Sequence, residues 1–214
     1  MRLRRLIVLR IGFVALALFL AATPGPRMGT AGAVTLDDTD AVVSDLSEYW
    51  TAQLLSNGLA DVAPIVIRDE TSSDPDCRTV DRAATYCESD NVIYLDEATM
   101  TNLLDGWDAL VGVTDLAVAW GAFLAGTLSE TDGPMSVADD PIARDRFAMC
   151  AAGVYVGHLW FDFETREGDL IVAIDALDAQ PYPADETTDG RVLAFMRGFV
   201  GGFSSCFDSA DRTD

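Results

Sequence analysis

Histidine chemistry in this chain depends on one residue, because His158 is the only histidine among the 214 residues. A nucleophilic serine would have to use His158 as its base, and the sequence has no Gly-x-Ser-x-Gly elbow to carry such a serine. His158 lies at the apolar end of a predicted helix, four residues before Asp162, so a local helical pair is its expected interaction. Although an imidazole titrates near neutral pH, we predict a structural or surface role for His158.

Four cysteines, Cys77, Cys87, Cys150 and Cys206, offer either disulfides or metal ligands. No two of them have the C-x-x-C spacing of a zinc knuckle, so zinc is the weaker interpretation. Four cysteines allow three connectivities. We favour Cys77 with Cys87 and Cys150 with Cys206, because the first pair closes a short loop between two strand-like segments.

Two loop-like stretches, residues 69–76 and 130–140, are rich in carboxylates. Carboxylates bind calcium, but neither stretch matches the twelve-residue calcium loop with its closing Glu. A glycosidase needs two acids that converge in one cleft, and the sequence contains no sign of such convergence. The expectation is therefore two solvated acidic loops and no bound cofactor, with calcium as the alternative.

Hydrophobic periodicity predicts the elements that must position these residues. A capped amphipathic pattern predicts a helix over residues 35–59, which Gly58 terminates. Two β-branched runs, at residues 64–67 and 91–95, predict strands that form a small sheet or a hairpin. The remaining pattern predicts five further helices, over residues 97–104, 109–128, 141–161, 169–179 and 186–203. The predicted fold class is α+β, mainly helical, with a sheet of two to three strands.

The N-terminus has the pattern of a secretory signal, because four arginines precede an apolar stretch at residues 11–22. A small-x-small cleavage site ends at Ala33, so we assign residues 1–33 to a signal peptide and residues 34–214 to a single domain. An uncleaved anchor is the alternative, since the apolar stretch approaches the ~20 residues that span a bilayer. The domain is expected to be secreted or extracytoplasmic, where cysteines pair.

The predicted mature domain is strongly acidic. Residues 1–33 contain five arginines and no acids, so the 14 basic and 35 acidic residues of the whole chain become 9 and 35, a net charge of about −26. Such a field repels phosphate backbones and anionic membrane surfaces. We therefore expect no nucleic-acid partner, and membrane contact only through an N-terminal anchor.

Several short motifs follow one another in a recognisable order. They are Tyr49-Trp50, Cys77, Tyr86-Cys87, Ile93-Tyr94-Leu95-Asp96, Trp120-Gly121, Cys150-Ala151-Ala152-Gly153-Val154-Tyr155, a Phe-Met-Arg-Gly-Phe run ending at Phe199, and Cys206. This order resembles the neutral zinc metallopeptidase family of bacteria, over nearly the whole predicted domain. The Tyr-Cys…Ile-Tyr-Leu-Asp and Cys-x-Ala-Gly pieces are its more specific parts. The resemblance implies a zincin-like helical fold.

That family carries His-Glu-x-Gly-His on its long helix, where residues four apart share one face and place two imidazoles on one zinc. The Glu beside them activates a zinc-bound water. Matching the motif's Gly to Gly121 puts Val118, Ala119 and Ala122 at the positions of the first His, the Glu and the second His. The family's further acidic ligand falls at Asp145. The resemblance therefore implies that the zinc site is lost and that Asp145 is its vestige.

These observations predict an exported, catalytically inactive relative of the zinc metallopeptidases, with a binding or scaffolding role toward an unidentified protein or peptide partner. Apolar replacements suit a packed core, whereas a site altered for another metal would keep polar ligands. One alternative is an enzyme that uses Asp115, Asp145 or His158 as acid or base groups in the same cleft. Another is an unrelated secreted helical protein.

Overall fold

A computed structural model gives the arrangement of the chain after the predicted signal. It describes residues 38–68, 77, 82–105, 109–131, 135–162, 167–178 and 187–209, all of which belong to one unit, Ala33–Asp214. The predicted signal segment, residues 1–33, and the first acidic stretch, residues 69–76, lie outside the described residues.

The described residues form six α-helices, three short strands and a final 3₁₀-helix. The helices are α1 (Thr39–Ser56), α2 (Glu97–Leu104), α3 (Ala109–Ser129), α4 (Pro141–Asp162), α5 (Glu167–Asp178) and α6 (Thr188–Gly201). The strands are β1 (Ile65–Arg68), β2 (Ala84–Cys87) and β3 (Val92–Leu95), and the 3₁₀-helix is Phe203–Ser209. The predicted class, α+β and mainly helical with a small sheet, is confirmed.

Helix α1 shows how local sequence sets its ends. The Asp38 carboxylate accepts a hydrogen bond from the Asp40 backbone N–H at 2.9 Å and so caps the helix start. Gly58 follows the last turn with a φ of +74°, the left-handed conformation that glycine adopts without strain. The helix therefore ends where Gly58 predicts, and its buried stripe from Val42 to Leu54 recurs every four residues.

The sheet has the order β1-β3-β2, with β1 parallel and β2 antiparallel to β3. The two strands that the sequence predicts are therefore parallel neighbours, and the hairpin is formed by β2 and β3. Strand β2 was not among the predicted strands, because only one of its four residues, Thr85, is β-branched. Asn91 closes the hairpin turn at a φ of 54°, a conformation that Asn tolerates better than most residues.

The central strand β3 is buried along its whole length and separates two apolar clusters. Ile93 and Leu95 belong to the main helical core, whereas Val92 and Tyr94 pack with a smaller cluster that contains a disulfide. This alternation follows from the two-residue period of a strand. The sheet therefore lies between the helical core and the cluster around the Cys77–Cys87 disulfide.

Both favoured disulfides are present. Cys77 pairs with Cys87 at a sequence separation of 10, and Cys150 pairs with Cys206 at a separation of 56. The first joins Cys77 to the last residue of β2, and the second joins the middle of α4 to the 3₁₀-helix. Two disulfides are in keeping with an oxidising, extracytoplasmic environment.

Helix α3 is the centre of the helical core, with 15 buried residues. It packs against α2, α4, α5 and strands β2 and β3. It is long and apolar enough to cross a membrane by length and composition, and 78% of the apolar window is buried within the protein. Its apolar character is therefore accounted for by its position in the core.

Helices α4 and α6 touch through their backbones. A Cβ atom added at Gly153 would lie 1.9 Å from the Phe195 carbonyl oxygen, and one added at Gly198 would lie 1.9 Å from the Cys150 carbonyl oxygen. Gly121 of α3 meets α4 in a similar way, with Ala148 O 2.5 Å from the added Cβ. Gly121 and Gly198 therefore permit close packing of the helices.

Substitution Gly198→Ala tests the close crossing of α4 and α6. The new methyl group would collide with the Cys150 carbonyl, so we expect the free energy of unfolding to fall by about 3 kcal/mol, at the upper end for overpacking. The matched control is Gly126→Ala in α3, whose added Cβ stays 3.4 Å from the nearest flexible side-chain atoms. There, better helix propensity should raise stability by about 0.5–1 kcal/mol. Urea denaturation measures both changes, and equal effects would contradict the crossing.

The two disulfides should contribute unequally to stability. Removing Cys150–Cys206 by double substitution to Ala should cost about 4 kcal/mol, because that bond closes the longer loop in the unfolded chain. Removing Cys77–Cys87 should cost about 3 kcal/mol. Chemical denaturation of the two double variants gives the comparison, and a larger loss for the shorter loop would refute this ranking.

Candidate functional site

A cavity of about 330 Å³ opens between α3, α4, β2 and the start of α6. Its lining combines short apolar side chains with ionised ones. The lining residues are Arg82, Thr85, Tyr86, Glu88, Val118, Ala119, Ala122, Ala125, Pro141, Arg144, Asp145, Ala148 and Arg191. The volume lies at the lower end of the range for small-molecule sites.

Helix α3 supplies the apolar floor of the cavity. Val118, Ala119, Ala122 and Ala125 recur at three- and four-residue spacing, so they lie on one face of the helix. Ala148 of α4 completes this surface. Val118 and Ala119 are 5% and 2% exposed, and the small side chains leave room beside them that larger residues would fill. The three positions that the resemblance assigns to a lost His-Glu-x-Gly-His motif are therefore all part of the floor.

Charged residues form the cavity wall. Three arginines, Arg82, Arg144 and Arg191, face two carboxylates, Glu88 and Asp145. The excess is thus positive by one charge, in a chain whose net charge is −21. The carboxylate of Asp115 lies close to Arg82 behind this lining, so the charges of the wall are nearly balanced.

The innermost ion pair joins α4 to α6. Arg191 Nε lies 3.1 Å from Asp145 Oδ2, with only 2% of the arginine side chain and 14% of the aspartate side chain exposed. The distance is that of an ion pair, while its angles are outside the range of a hydrogen bond. Arg191 Nη1 also donates to the Leu177 carbonyl oxygen at 2.7 Å, close to the end of α5. Arg191 therefore ties α4, α5 and α6 together.

Arg82 stands beside this pair. Burial lowers the pKa of Arg82, the nearby carboxylates of Asp115 and Asp145 oppose that change, and Arg191 adds to it. The guanidinium remains protonated, since arginine is not deprotonated in proteins. Its Nε atom is buried and has no hydrogen-bond partner among the described residues, and the same is true of Thr85 Oγ1. Within the part of the chain that the structure describes, these two buried atoms of the wall make no hydrogen bond.

A second, acidic cleft of about 820 Å³ adjoins the cavity, because Tyr86, Glu88 and Arg144 line both. The other acidic side chains of the cleft are Asp61, Glu130 and Asp139. Arg144 bridges the rim through Glu88 at 2.6 Å and Asp139 at 3.6 Å. Burial and the neighbouring Glu88 raise the pKa of Tyr86. The outer part of the site is therefore negative.

The three candidate acid or base groups do not form one catalytic set. Asp145 lines the cavity, while Asp115 is buried and accepts a hydrogen bond from the Ala83 backbone N–H at 3.2 Å. His158 stacks on Tyr49 with ring centroids 4.6 Å apart. It follows Asp145 by 13 residues on the same helix, a distance of about 20 Å along the axis. His158 is therefore too far from Asp145 for a shared proton transfer.

The second acidic stretch has structural contacts. Asp140 Oδ1 accepts a hydrogen bond from the Ala143 backbone N–H at 2.9 Å and caps α4, and Asp139 pairs with Arg144. Within the described ranges, no group of three or more His, Cys, Asp or Glu side chains is placed to hold a metal ion. The proposed calcium ligands at residues 69–76 lie outside those ranges.

The cavity also does not fit the zinc ion that the resemblance implies for the family. Its floor offers the methyl groups of Val118, Ala119 and Ala122, and its one inner carboxylate, Asp145, is paired with the guanidinium of Arg191. Zinc needs three or four N, S or O ligands, and a fixed positive charge beside the carboxylate opposes a second cation.

Sequence reasoning missed the cationic half of the site. Arg82, Arg144 and Arg191 stand in different elements, and no spacing rule connects them. Only the position of Arg191 could have been noticed in the sequence. It directly precedes an apolar run, Val192-Leu193-Ala194, in its predicted helix. A buried arginine in such a segment implies a specific partner.

Comparison of the chain with protein-family models, with curated proteins and with solved structures finds no match.

The Asp145–Arg191 pair should be a stability determinant. Substitution Asp145→Asn leaves a buried guanidinium beside a neutral amide, and we expect the free energy of unfolding to fall by about 2 kcal/mol. Asp139→Asn is the matched control, because that side chain is 85% exposed and its pair with Arg144 is long. Thermal and urea unfolding of the two variants should differ clearly. Similar losses of unfolding free energy in the two variants would show that the Asp145–Arg191 pair stabilises the protein no more than an exposed pair does.

Proposed function

We propose that this protein is an exported binding protein, related to the bacterial neutral zinc metallopeptidases but without peptidase activity. The observation that carries the proposal is the cavity floor. The motif order selects Val118, Ala119 and Ala122 on one helix and Asp145 on another, and all four line one cavity. The four positions that the resemblance assigns to a peptidase cleft therefore lie around the same cavity between α3 and α4.

The disulfide frame supports the same proposal. Cys150–Cys206 and Cys77–Cys87 pair in the way that the motif order requires, whereas a bond between Cys77 and Cys150 would have contradicted it. Both bonds lie close to the cavity elements: one is in α4, and the other ends in β2. A rigid frame that keeps a cleft open suits binding.

Binding is favoured over hydrolysis by the contents of the cavity. Asp145 is held in an ion pair, and His158 lies about 20 Å farther along α4. An activated nucleophile needs a base within hydrogen-bond reach, and such a pair is not found among the described lining residues. The cavity can therefore hold a ligand, and it has no evident means to hydrolyse one.

The lost motif offers a direct test of the relation to zinc peptidases. The triple variant Val118→His, Ala119→Glu and Ala122→His should acquire about one zinc per chain, because two imidazoles four residues apart would face the cavity beside Asp145. Metal content is measured by mass spectrometry after gel filtration, with circular dichroism to confirm the helical content. A folded triple variant that takes up no zinc would contradict the proposed register.

The unmodified protein is the second arm of this experiment. It should purify without stoichiometric zinc and should cleave no member of a mixed peptide library, as read by mass spectrometry of the products. Stoichiometric zinc that is lost on Asp145→Ala, or cleavage that a chelator abolishes, would overturn the proposal of an inactive relative.

A further inference from the structure

The cavity keeps an apolar surface that a ligand can reach. Ala122, Pro141 and Tyr86 line it, and each of them retains exposed area. Behind them lie four nearly buried side chains that shape the cavity, those of Val118, Ala119, Ala125 and Ala148. A volume of about 330 Å³ lies at the lower end of the range for ligand sites, so it suits a single aliphatic side chain.

Each charged side chain of the lining lies beside a group of opposite charge within the protein. These contacts are Asp145 with Arg191 at 3.1 Å, Glu88 with Arg144 at 2.6 Å, and Arg82 with the nearby carboxylates of Asp115 and Asp145. A charged ligand group in the cavity would have to displace one of these contacts, whereas an apolar group leaves them in place. The expected occupant of the cavity is therefore uncharged.

The adjoining cleft has the opposite character. Its lining includes one cation, Arg144, and four exposed carboxylates, those of Asp61, Glu88, Glu130 and Asp139. Arg144 pairs with Glu88 and Asp139, while Asp61 and Glu130 form no ion pair within the described ranges. The local excess of three negative charges attracts a cation, and the net charge of −21 acts in the same direction at longer range.

The apolar and the acidic regions are contiguous, because Tyr86, Glu88 and Arg144 line both. A Cβ atom added at Gly126 would lie 3.4 Å from Arg144 Nη2 and 3.4 Å from the Tyr86 phenol oxygen, so these two groups lie on the same side of α3 at the boundary. One ligand can therefore place an apolar group in the cavity and a cation in the cleft. Successive residues of an extended peptide, about 3.3 Å apart, carry two such groups side by side.

We propose that the cavity and the cleft together bind an extended basic peptide segment, in which an aliphatic side chain occupies the cavity and a neighbouring lysine or arginine lies among the carboxylates of the cleft. The aliphatic group contacts Ala122, Pro141 and the ring of Tyr86. The cation lies closest to Asp61 and Glu130, whose charges have no counterion among the described residues. This inference rests on the proposed binding function and names its ligand class.

The first measurement compares three tetrapeptides on the purified protein by isothermal titration calorimetry at low salt. The reference is acetyl-Ala-Leu-Lys-Ala-amide, whose blocked ends carry no charge, and the other two replace its Lys by Glu or its Leu by Gly. We expect the Glu peptide to bind about tenfold more weakly, because it meets like charges in the cleft. The Gly peptide should also bind about tenfold more weakly, because the burial of a leucine side chain is lost.

The second measurement fills the cavity with a side chain of the protein itself. Substitution Ala122→Leu should weaken the reference peptide about tenfold and remove the difference between the Leu and Gly peptides, because the cavity is then occupied. Ala98→Leu is the matched control, since Ala98 is an exposed helical alanine that lines neither the cavity nor the cleft. Circular dichroism confirms the helical content of both variants.

The third measurement removes two charges of the cleft. The double variant Asp61→Asn and Glu130→Gln should weaken the reference peptide about fivefold, the effect of two exposed charge pairs, and should leave the Glu peptide no weaker. The matched control is the double variant Glu48→Gln and Asp189→Asn. It changes the net charge equally at two exposed acids outside the cavity and the cleft, so its affinity should stay within about twofold.

The outcomes separate this inference from the proposed function. No binding of the reference peptide, equal affinity for the Lys and Glu peptides, an Ala122→Leu variant that still distinguishes Leu from Gly, or equal losses in the two charge variants would each overturn the peptide site. None of these results would bear on zinc content or peptidase activity. Bound zinc with peptide cleavage would instead overturn the proposed function, whatever the peptide affinities.

Discussion

The close contact between α4 and α6 is the constraint on which the rest of the structure depends. Gly153 and Gly198 let the two backbones touch, and Cys150–Cys206 holds the chain after α6 to the middle of α4. The contacts join Asp145 to Arg191 and Gly153 to Phe195, so the helices run in the same direction. This alignment brings Arg191 to the cavity, where its buried charge meets Asp145 and the end of α5.

The cavity itself follows from a difference in side-chain size along α3. Toward strand β2 this helix presents Phe123, whose ring centroid lies 5.9 Å from that of Tyr86, whereas Ala119, Ala122 and Ala125 line the cavity. Gly121 permits the backbones of α3 and α4 to approach. The neighbouring alanines leave space that neither helix fills. Small residues on one helix thus have two effects: Gly121 allows close packing against α4, and the alanines beside it leave the cavity open.

The sequence predicted what depends on local pattern. The capped helix that ends at Gly58, the helix beginning at Pro141 and both disulfides follow from spacing and turn chemistry, and the structure has them. Strand β2 was missed because only one of its four residues, Thr85, is β-branched. The arginine wall was missed for a different reason. The significance of Arg82 and Arg191 arises from burial against residues more than 30 positions away, which no local pattern contains.

Under the proposed relation to zinc peptidases, the charges of the cavity have a physical rationale. A carboxylate at the position of Asp145 is stable when a cation lies beside it, and isolated burial of that charge would cost several kcal/mol. Removing two imidazoles and a metal takes that cation away, and the guanidinium of Arg191 supplies another at 3.1 Å. A guanidinium differs from zinc in one respect that matters for function: it cannot lower the pKa of a bound water, but it can hold a carboxylate. On that proposal, Arg191 balances the charge of Asp145 without supplying a hydrolytic metal.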